Sequence, residues 1–339
     1  GDHGEGLGDH GEPDHGLMLF DSTLLVPMWW WAPGRVTPGP RDGLPRLVDV
    51  APTLLELAGA EPLPGVDGQS LLAGLEGQPQ QLPPAYAETY YGQAAYGAAA
   101  LKSWREGDWK WIGTDGAEGN ALFQWRENPA ETDNRISTES TRADALQLSA
   151  WDRPEPPSAG AVSGEALRTL ASLGYVGQSG SVASSNRHPA EFLPTHAELV
   201  AIQELDRGRS LPEAVSRARA LAAASPELPF VQYVLAELLV QSGAGAEAEA
   251  AYLRTIALNP GDAQSHYRLA ELRMGLGRDA DAIAHWDAVL AIDPVRTMAR
   301  TNKAVALANL ERWAEAWAAI EPALADPSAD AGTLEAGAA

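Results

Sequence analysis

The second half of the chain repeats itself every 34 residues, and this period constrains the fold more than any other feature of the sequence. Prolines recur at Pro226, Pro260 and Pro294, and alanines recur in two further registers, Ala214, Ala248, Ala282 and Ala316, and Ala236, Ala270 and Ala304. Small residues are needed where two helices approach closely, and proline ends a helix because it lacks a backbone N–H donor. The sequence therefore predicts helix pairs stacked in a row.

This pattern resembles the tetratricopeptide repeat, whose unit is 34 residues long. Tyr252, Trp286 and Ile320 keep the same period and lie four positions after an alanine, which places them on the same helical face. We count three regular repeats after about Leu228 and one degenerate repeat over roughly 195–227. The resemblance implies a right-handed superhelix whose concave face binds peptides or protein partners. The residues alone leave open a second role, in which the repeats cap or dimerise the neighbouring domain.

The composition changes along the chain and predicts four segments. Residues 1–176 mix short apolar runs with Gly and Pro, and residues 177–194, rich in Gly and Ser at their start, predict a linker. An all-α solenoid is expected over residues 195–328, and a disordered tail over 329–339. Two folded domains are therefore expected.

The composition also excludes several classes of function. A net charge of −22 argues against nucleic-acid binding, because phosphate backbones require Lys and Arg. No stretch is long and apolar enough to predict a membrane span. The chain has no cysteine, so it cannot form disulfides, zinc–thiolate sites or a cysteine nucleophile. The cellular compartment stays open.

Alternating strand and helix signals in residues 1–176 predict an α/β domain with an antiparallel element near its end. The apolar run Leu24–Trp31 predicts a buried strand, and Leu47–Ala58 has the apolar spacing of a helix. The alternating aromatics of Trp104–Ile112 predict a hairpin, and Leu122–Trp125 predicts a further strand.

Three Asp-His-Gly triplets lie within the first sixteen residues, at 2–4, 9–11 and 14–16. Carboxylates and imidazoles are the side chains that bind divalent metals, and Glu5 and Glu12 add two more oxygen donors. Taken alone, the same loop could be a solvated turn, since Asp and Gly are favoured in turns.

The opening thirty residues resemble the metal-binding stretch of the sulfatases, within the alkaline phosphatase superfamily. In that family a strand ends in an Asp-His or Asp-Asn pair followed by Gly. A loop with a Lys or His comes next, and then a Phe/Tyr-Asp-x-x-x-x-x-Pro strand, which Phe20–Pro27 fits. Later stretches that support the resemblance lie at 48–59, 64–71, 122–134 and 170–176. The resemblance implies that residues 1–176 form part of an alkaline-phosphatase-like sheet with a C-terminal antiparallel element.

The resemblance implies that Asp2 and His3 bind one divalent metal ion, with calcium preferred and magnesium, manganese or zinc as alternatives. Such an ion would polarise an oxygen of a sulfate group. His15 matches the loop position where relatives place a Lys or His, so we expect it to protonate the leaving group or to stabilise its charge. Asp9 and His10 have no counterpart in the family pattern.

The nucleophile motif of the sulfatases is absent. Those enzymes carry Cys/Ser-x-Pro-x-Arg, whose first residue is oxidised to formylglycine, and an early Asp-Asp metal pair, and neither occurs here. Because both precede the Asp-His strand in the family, we expect the natural chain to continue upstream of Gly1. We therefore expect negligible sulfatase activity from residues 1–339 alone.

The sequence thus predicts part of a metal-dependent sulfatase fused to tetratricopeptide repeats. In the intact enzyme a hydrated formylglycine would attack the sulfur of a sulfate ester. Phosphodiesterases, phosphonate hydrolases and phosphoethanolamine transferases of the same superfamily share the Asp-His-Gly strand and are the nearest alternatives. Two others are a non-catalytic module whose repeats bind a protein, and a metal-binding pseudoenzyme.

Overall fold

The computed structural model describes residues 1–41, 43–116, 118–152, 185–208, 210–294 and 296–324. The predicted stretch 170–176, residues 177–184 of the predicted linker and the predicted tail lie outside the described residues. The chain divides into two compact units. Unit 1 comprises the described residues of Gly1–Tyr90, Ala100–Pro154 and His188–Ala190, and unit 2 those of Tyr91–Ala99, Glu155–Arg187 and Glu191–Ala339.

The helices and strands of the described residues have well-defined bounds. The α-helices are α1 (Asp21–Leu24), α2 (Val50–Ala58), α3 (Leu72–Leu75), α4 (Tyr91–Tyr96), α5 (Ser140–Trp151), α6 (Leu193–Arg207), α7 (Leu211–Ala224), α8 (Pro229–Gln241), α9 (Gly245–Leu258), α10 (Ala263–Gly275), α11 (Asp279–Ile292), α12 (Thr297–Asn309) and α13 (Trp313–Leu324). The strands are β1 (Ala85–Thr89), β2 (Leu101–Glu106), β3 (Trp109–Gly113) and β4 (Ala121–Gln124). Short 3-10 helices cover Asp9–Gly11, Leu47–Asp49 and Pro189–Phe192.

Unit 1 is built around an antiparallel sheet with the strand order β1-β2-β3-β4. Successive side chains of a strand point to opposite faces, so the two faces differ in chemistry. One face carries Trp111 and Leu122, which pack with Leu146 of α5 in the core. The other face carries Arg105 and Lys110, which are opposite each other in the register of β2 and β3. The predicted hairpin and the predicted strand after it are confirmed.

The prediction of a buried strand at Leu24–Trp31 is wrong. Helix α1 ends at Leu24, and the run after it is in no strand of the described residues. Trp29 is 91 % exposed and Trp31 is 89 % exposed. A buried strand needs paired neighbours on its edges and a layer on each face, and the described part of the chain supplies neither for this run. The implied alkaline-phosphatase-like sheet is accordingly not seen there, whereas the helix predicted at Leu47–Ala58 is confirmed as a 3-10 turn leading into α2.

Unit 2 confirms the predicted region of helical repeats. Among the described residues, α6 to α13 form four consecutive helix pairs, and each helix packs on the next. The periodic alanines are buried between helices, as Ala248 and Ala282 show at 0 % exposure. The bulky residues of the same period, Tyr252, Trp286 and Ile320, are buried beside them. Burying one such side chain stabilises the fold by roughly 1.5–3 kcal/mol, so the period predicted the core.

None of the helices in the described ranges combines the length and the apolar character that crossing a bilayer requires.

Candidate metal centre

The N-terminal loop of unit 1 folds back on itself, so that its first limb, residues 3–6, runs beside its second limb, residues 14–23. The backbone N–H of Gly6 donates to the carbonyl of Asp14 at 2.6 Å, and that of Gly4 donates to the carbonyl of Thr23 at 2.8 Å. The backbones approach so closely that a Cβ atom on Gly4 would lie 2.2 Å from the carbonyl oxygen of Ser22. Glycine is therefore required at this position of the first Asp-His-Gly triplet.

The paired limbs bring together three metal-binding side chains, His3, Glu5 and His15. One donor atom of each lies within 4.8 Å of the others. The imidazole rings of His3 and His15 are stacked with their centroids 3.9 Å apart, and His15 Nδ1 is 3.1 Å from Glu5 Oε1. The side chains of His15 and Glu5 are 41 % and 45 % exposed, so the trio is open to solvent. We call these three residues the His-Glu-His cluster.

The donor chemistry of the His-Glu-His cluster fits a divalent ion of the first transition row. Two imidazoles and one carboxylate, with positions left for solvent, match zinc or manganese sites. Calcium prefers six to eight oxygen ligands, and two imidazoles are poor partners for it. His3 Nδ1 lies 2.9 Å from the carbonyl of Gly4, and donation to that carbonyl leaves Nε2 with its lone pair free for a metal. Calcium stays a prediction of the resemblance, and the cluster favours zinc or manganese.

The structure separates the two predicted metal ligands. His3 lies in the cluster, whereas Asp2 is exposed and belongs to no group of metal-binding side chains within the described residues. The pKa of Asp2 is lowered by a hydrogen bond from its own backbone N–H and by the charge of His3. Glu5, which the sequence indicated only as one of several oxygen donors, is the carboxylate that lies in the cluster. His15, predicted as a catalytic residue, lies beside His3.

The second Asp-His-Gly triplet and Glu12 after it make packing and hydrogen-bond contacts within the loop. The ring of His10 stacks flat on that of Phe20, with the centroids 3.6 Å apart and the planes 7° apart. The carboxylate of Glu12 is buried and accepts hydrogen bonds from the backbone N–H groups of Leu17, at 2.7 Å, and Met18, at 3.0 Å. These residues therefore shape the turn between the limbs.

A buried network of charges fixes the segment after the loop to the sheet. The carboxylate of Asp21 accepts hydrogen bonds from Arg105 Nη2 and Lys110 Nζ, each at 2.7 Å. Lys110 Nζ also lies 2.7 Å from Glu131 Oε1, and Glu131 Oε2 accepts the backbone N–H of Asp21 at 2.6 Å. All four side chains are buried, so charge is balanced by charge in a medium of low dielectric. The sequence did not predict this network, because its members are far apart in the chain.

A second candidate site lies in unit 2, between α6 and α8. A cavity of about 210 Å³ opens there. Its lining includes the apolar side chains Ile202, Phe230, Val234 and Leu238 and the acidic side chains Asp206 and Glu237.

Glu237 is the centre of a polar network beside this cavity. The hydroxyl of Tyr252 donates to Glu237 Oε1, and Arg268 Nε lies 3.4 Å from the same oxygen. Burial raises the pKa of Tyr252, and the Glu237 carboxylate raises it further, so the phenol keeps its proton and donates. The carboxylate of Glu237 at the rim of the cavity is therefore fixed in position by Tyr252 and Arg268.

No family model matches the chain, and no curated protein matches it. Solved structures similar to it include a MamA protein, with 18% identity over 41% of this chain and 71% of that chain at a TM-score of 0.36. Another MamA crystal structure has 14% identity over 60% of this chain and 95% of that chain, also at 0.36. MamA from Desulfovibrio magneticus RS-1 has 17% identity over 41% and 73%, again at 0.36. A similarity this weak carries no argument about function, and the description of the repeats depends on the chain's own helix pairs.

Proposed function

We propose that unit 2 consists of tetratricopeptide repeats that bind a protein partner through the first helices of successive pairs. The cavity between α6 and α8 is the observation that carries this proposal. At about 210 Å³ it is smaller than the roughly 300–1,000 Å³ of small-molecule sites, and it suits one or two side chains of a peptide. Its apolar lining and its carboxylates favour a peptide with an apolar residue next to a Lys or Arg.

Selection of a random peptide library displayed on phage against the full chain tests this function. Val234→Asp places a charge among the apolar lining of the cavity, and Leu253→Asp places the same charge on α9 at a side chain that is 42 % exposed. We expect selected peptides to bind at least about tenfold more weakly to Val234→Asp than to the unmodified chain, because an unpaired charge must be desolvated. The Leu253→Asp variant should bind them normally. Peptides that bind both variants equally would place the binding site elsewhere.

We propose further that unit 1 belongs to a sulfatase-like, metal-dependent hydrolase. The observation that favours it is the approach of His3 to His15, two residues that the resemblance marks for one active site. A bound divalent ion would polarise an oxygen of the sulfate group. His3 and Glu5 would supply ligands for it, and His15 would be either a third ligand or the acid of the reaction.

His15 suits the role of the acid in this hydrolase. Glu5 accepts a hydrogen bond from His15 Nδ1, and this contact orients the ring. As the acid, His15 would give a proton from Nε2 to the leaving oxygen of a sulfate ester. If His15 is instead a third metal ligand, His15→Ala will abolish metal binding. If it is the acid, the variant will keep the metal and lose turnover.

The coding sequence upstream of Gly1 decides whether the hydrolase proposal holds. An in-frame Cys/Ser-x-Pro-x-Arg motif should make the extended chain hydrolyse 4-nitrophenyl sulfate, with loss of activity in a chelator. We expect His15→Ala to lower that turnover by about a hundredfold or more, as loss of a general acid does. A threonine nucleophile, with turnover of a phosphodiester instead, would assign the phosphodiesterase alternative. An extension with neither nucleophile would contradict both and leave the repeats as the functional part.

A further inference from the structure

The cavity between α6 and α8 has two chemically different ends. Asp206 is in the last turn of α6, Gln241 is the last residue of α8, and both line the cavity. Gln241 Nε2 donates a hydrogen bond to Asp206 Oδ2 at 3.5 Å, so these two helix ends lie next to each other. Phe230 and Val234, from the first half of α8, supply apolar lining. One end of the cavity is therefore polar and the other is apolar.

The carboxylate of Asp206 is not compensated by a positive charge of any described residue. Arg207, which follows it in the chain, is paired with Glu204 instead. The C-terminus of a helix carries a partial negative charge of its own, and the C-termini of α6 and α8 both lie at this end of the cavity. The Asp206 carboxylate adds a full negative charge to them. The polar end of the cavity therefore favours a cation.

Glu237, the other carboxylate of the lining, is already compensated in part. Its Oε1 accepts the hydroxyl of Tyr252 and lies 3.4 Å from Arg268 Nε. Arg268 Nη1 also lies 3.0 Å from Glu271 Oε2. A cation that approached Glu237 would meet the positive charge of Arg268, and like charges repel. Asp206 is therefore the carboxylate of the cavity that is open to a cation of a partner.

Two acceptor oxygens belong to the hydrogen-bonded pair at the polar end. Gln241 uses its amide N–H group to bind Asp206 Oδ2, so Gln241 Oε1 and Asp206 Oδ1 accept no side-chain hydrogen bond from a described residue. The guanidinium group of arginine has five N–H donors in a planar fork and can donate to two acceptors at once. The ammonium group of lysine is a compact, strongly hydrated charge without this geometry. The two oxygens therefore favour arginine over lysine.

We propose that Asp206 and Gln241 bind an arginine side chain of the partner peptide. The proposal rests on the proposed function of the cavity and names the residue type that the cavity selects. The guanidinium donates to Asp206 Oδ1 and Gln241 Oε1, and the aliphatic stem of the arginine packs along the apolar lining at Leu238. The apolar neighbour of the arginine fills the end at Phe230 and Val234. Asp206 is thus the specificity-determining residue of this site.

Peptides selected from the phage library that lose binding to Val234→Asp supply the probe. The tightest of them is synthesised with a fluorescein label in three forms, with its arginine kept, replaced by lysine, or replaced by citrulline, which is the neutral isostere of arginine. Fluorescence anisotropy with the full chain should show the tightest binding for the arginine form and weaker binding for the lysine form. The citrulline form should bind at least about tenfold more weakly than the arginine form, because it loses the charge-assisted hydrogen bonds.

Asp206→Asn keeps the shape of the side chain and removes its charge. It should weaken binding of the arginine form at least about tenfold and leave binding of the citrulline form unchanged. Glu227→Gln is the matched control, because it removes the same charge at an exposed residue between α7 and α8 that is not among the lining residues. This variant should bind all three forms normally. Asp206→Arg should reject the arginine form and bind a form with glutamate in its place. Circular dichroism should show unchanged helicity in each variant.

The results distinguish the arginine site from the peptide cavity itself. Peptides that depend on Val234 but contain no arginine, or that bind Asp206→Asn as tightly as the unmodified chain, would overturn the arginine site and leave the peptide cavity in place. Equal weakening by Asp206→Asn and Glu227→Gln would also overturn it, since the attraction would then come from the net charge of the chain. A library without any peptide sensitive to Val234→Asp would overturn both the site and the proposed function.

Discussion

A buried histidine and a half-buried histidine make the stability of the repeats depend on pH. His266 on α10 and His285 on α11 approach with their Nδ1 atoms 2.8 Å apart. One ring must donate its N–H and the other must accept, so the contact requires at least one neutral ring. Burial lowers the pKa of His285 to about 4, helped by the positive charge of Arg273. Burial also lowers the pKa of His266.

Because the pKa of each ring is lowered in the folded state, protonation of the rings at low pH destabilises the repeats. The folded state binds a proton on His285 only near pH 4, whereas the unfolded chain binds it near 6.5. Stability from the neutral ring is therefore complete above pH 6.5 and is lost as the pH falls towards 4. For a fully buried group the loss between pH 7 and pH 5 would be about 2 kcal/mol. The ring is only partly buried, and screening by solvent reduces the expected loss to roughly 1 kcal/mol.

Urea unfolding followed by circular dichroism at 222 nm measures this loss at pH 7 and pH 5. His285→Gln removes the titrating ring, so the loss should be smaller in this variant by about 1 kcal/mol. The comparison is needed because Asp262, buried near His266, has a raised pKa and acts in the opposite direction. Asp262 is present in both proteins, and its contribution cancels in the difference. Equal losses in the two proteins, or a wild type that gains stability relative to the variant at pH 5, would refute the reasoning.

Two further predictions concern unit 1. Lys110→Met should lower the free energy of unfolding by about 3–5 kcal/mol, because it leaves the buried carboxylate of Glu131 without its counter-charge and that of Asp21 with Arg105 alone. Urea unfolding followed by tryptophan fluorescence measures this, and Lys102→Met, at a lysine buried to the same 1 % exposure but bound over a tryptophan ring, should cost less. Gly4→Ala should separate the two limbs of the loop, since its Cβ would lie 2.2 Å from the carbonyl of Ser22. Calorimetry should then show metal affinity reduced by at least about tenfold with unchanged helicity, and normal affinity would contradict the proposed role of the limbs.

The helical half was predictable because its contacts are local and repeated. Each periodic alanine meets the neighbouring helix in the same way, so one pattern describes four helix pairs, and Trp286 lies buried where the period placed it. The sequence could not predict the exposed tryptophans of α13. Trp313 and Trp317 keep the spacing of one helix face, and that spacing is the same whether or not a neighbour covers the face.

The first half was predictable only where the signal was local. The hairpin around Gly107 and Asp108 and the helix ending at Ala58 follow from turn and end residues close in sequence. The run Leu24–Trp31 was misjudged, because an apolar run predicts burial without showing which neighbours would cover it. At the candidate site, the triplets indicated His3 and His15. The inclusion of Glu5 depends on how the two limbs pair, which residue types alone do not determine.

The measurement that tests the account most directly is a calorimetric titration of the full chain with manganese and with zinc. We predict one bound ion for each chain, and an affinity lowered by at least about tenfold in His3→Ala and Glu5→Gln. His10→Ala, which alters a histidine of the same loop stacked on Phe20, should bind the metal normally. Asp2→Asn should also bind normally if the His-Glu-His cluster is the site. No binding, or binding that Asp2→Asn abolishes and Glu5→Gln leaves unchanged, would contradict the cluster as the metal centre.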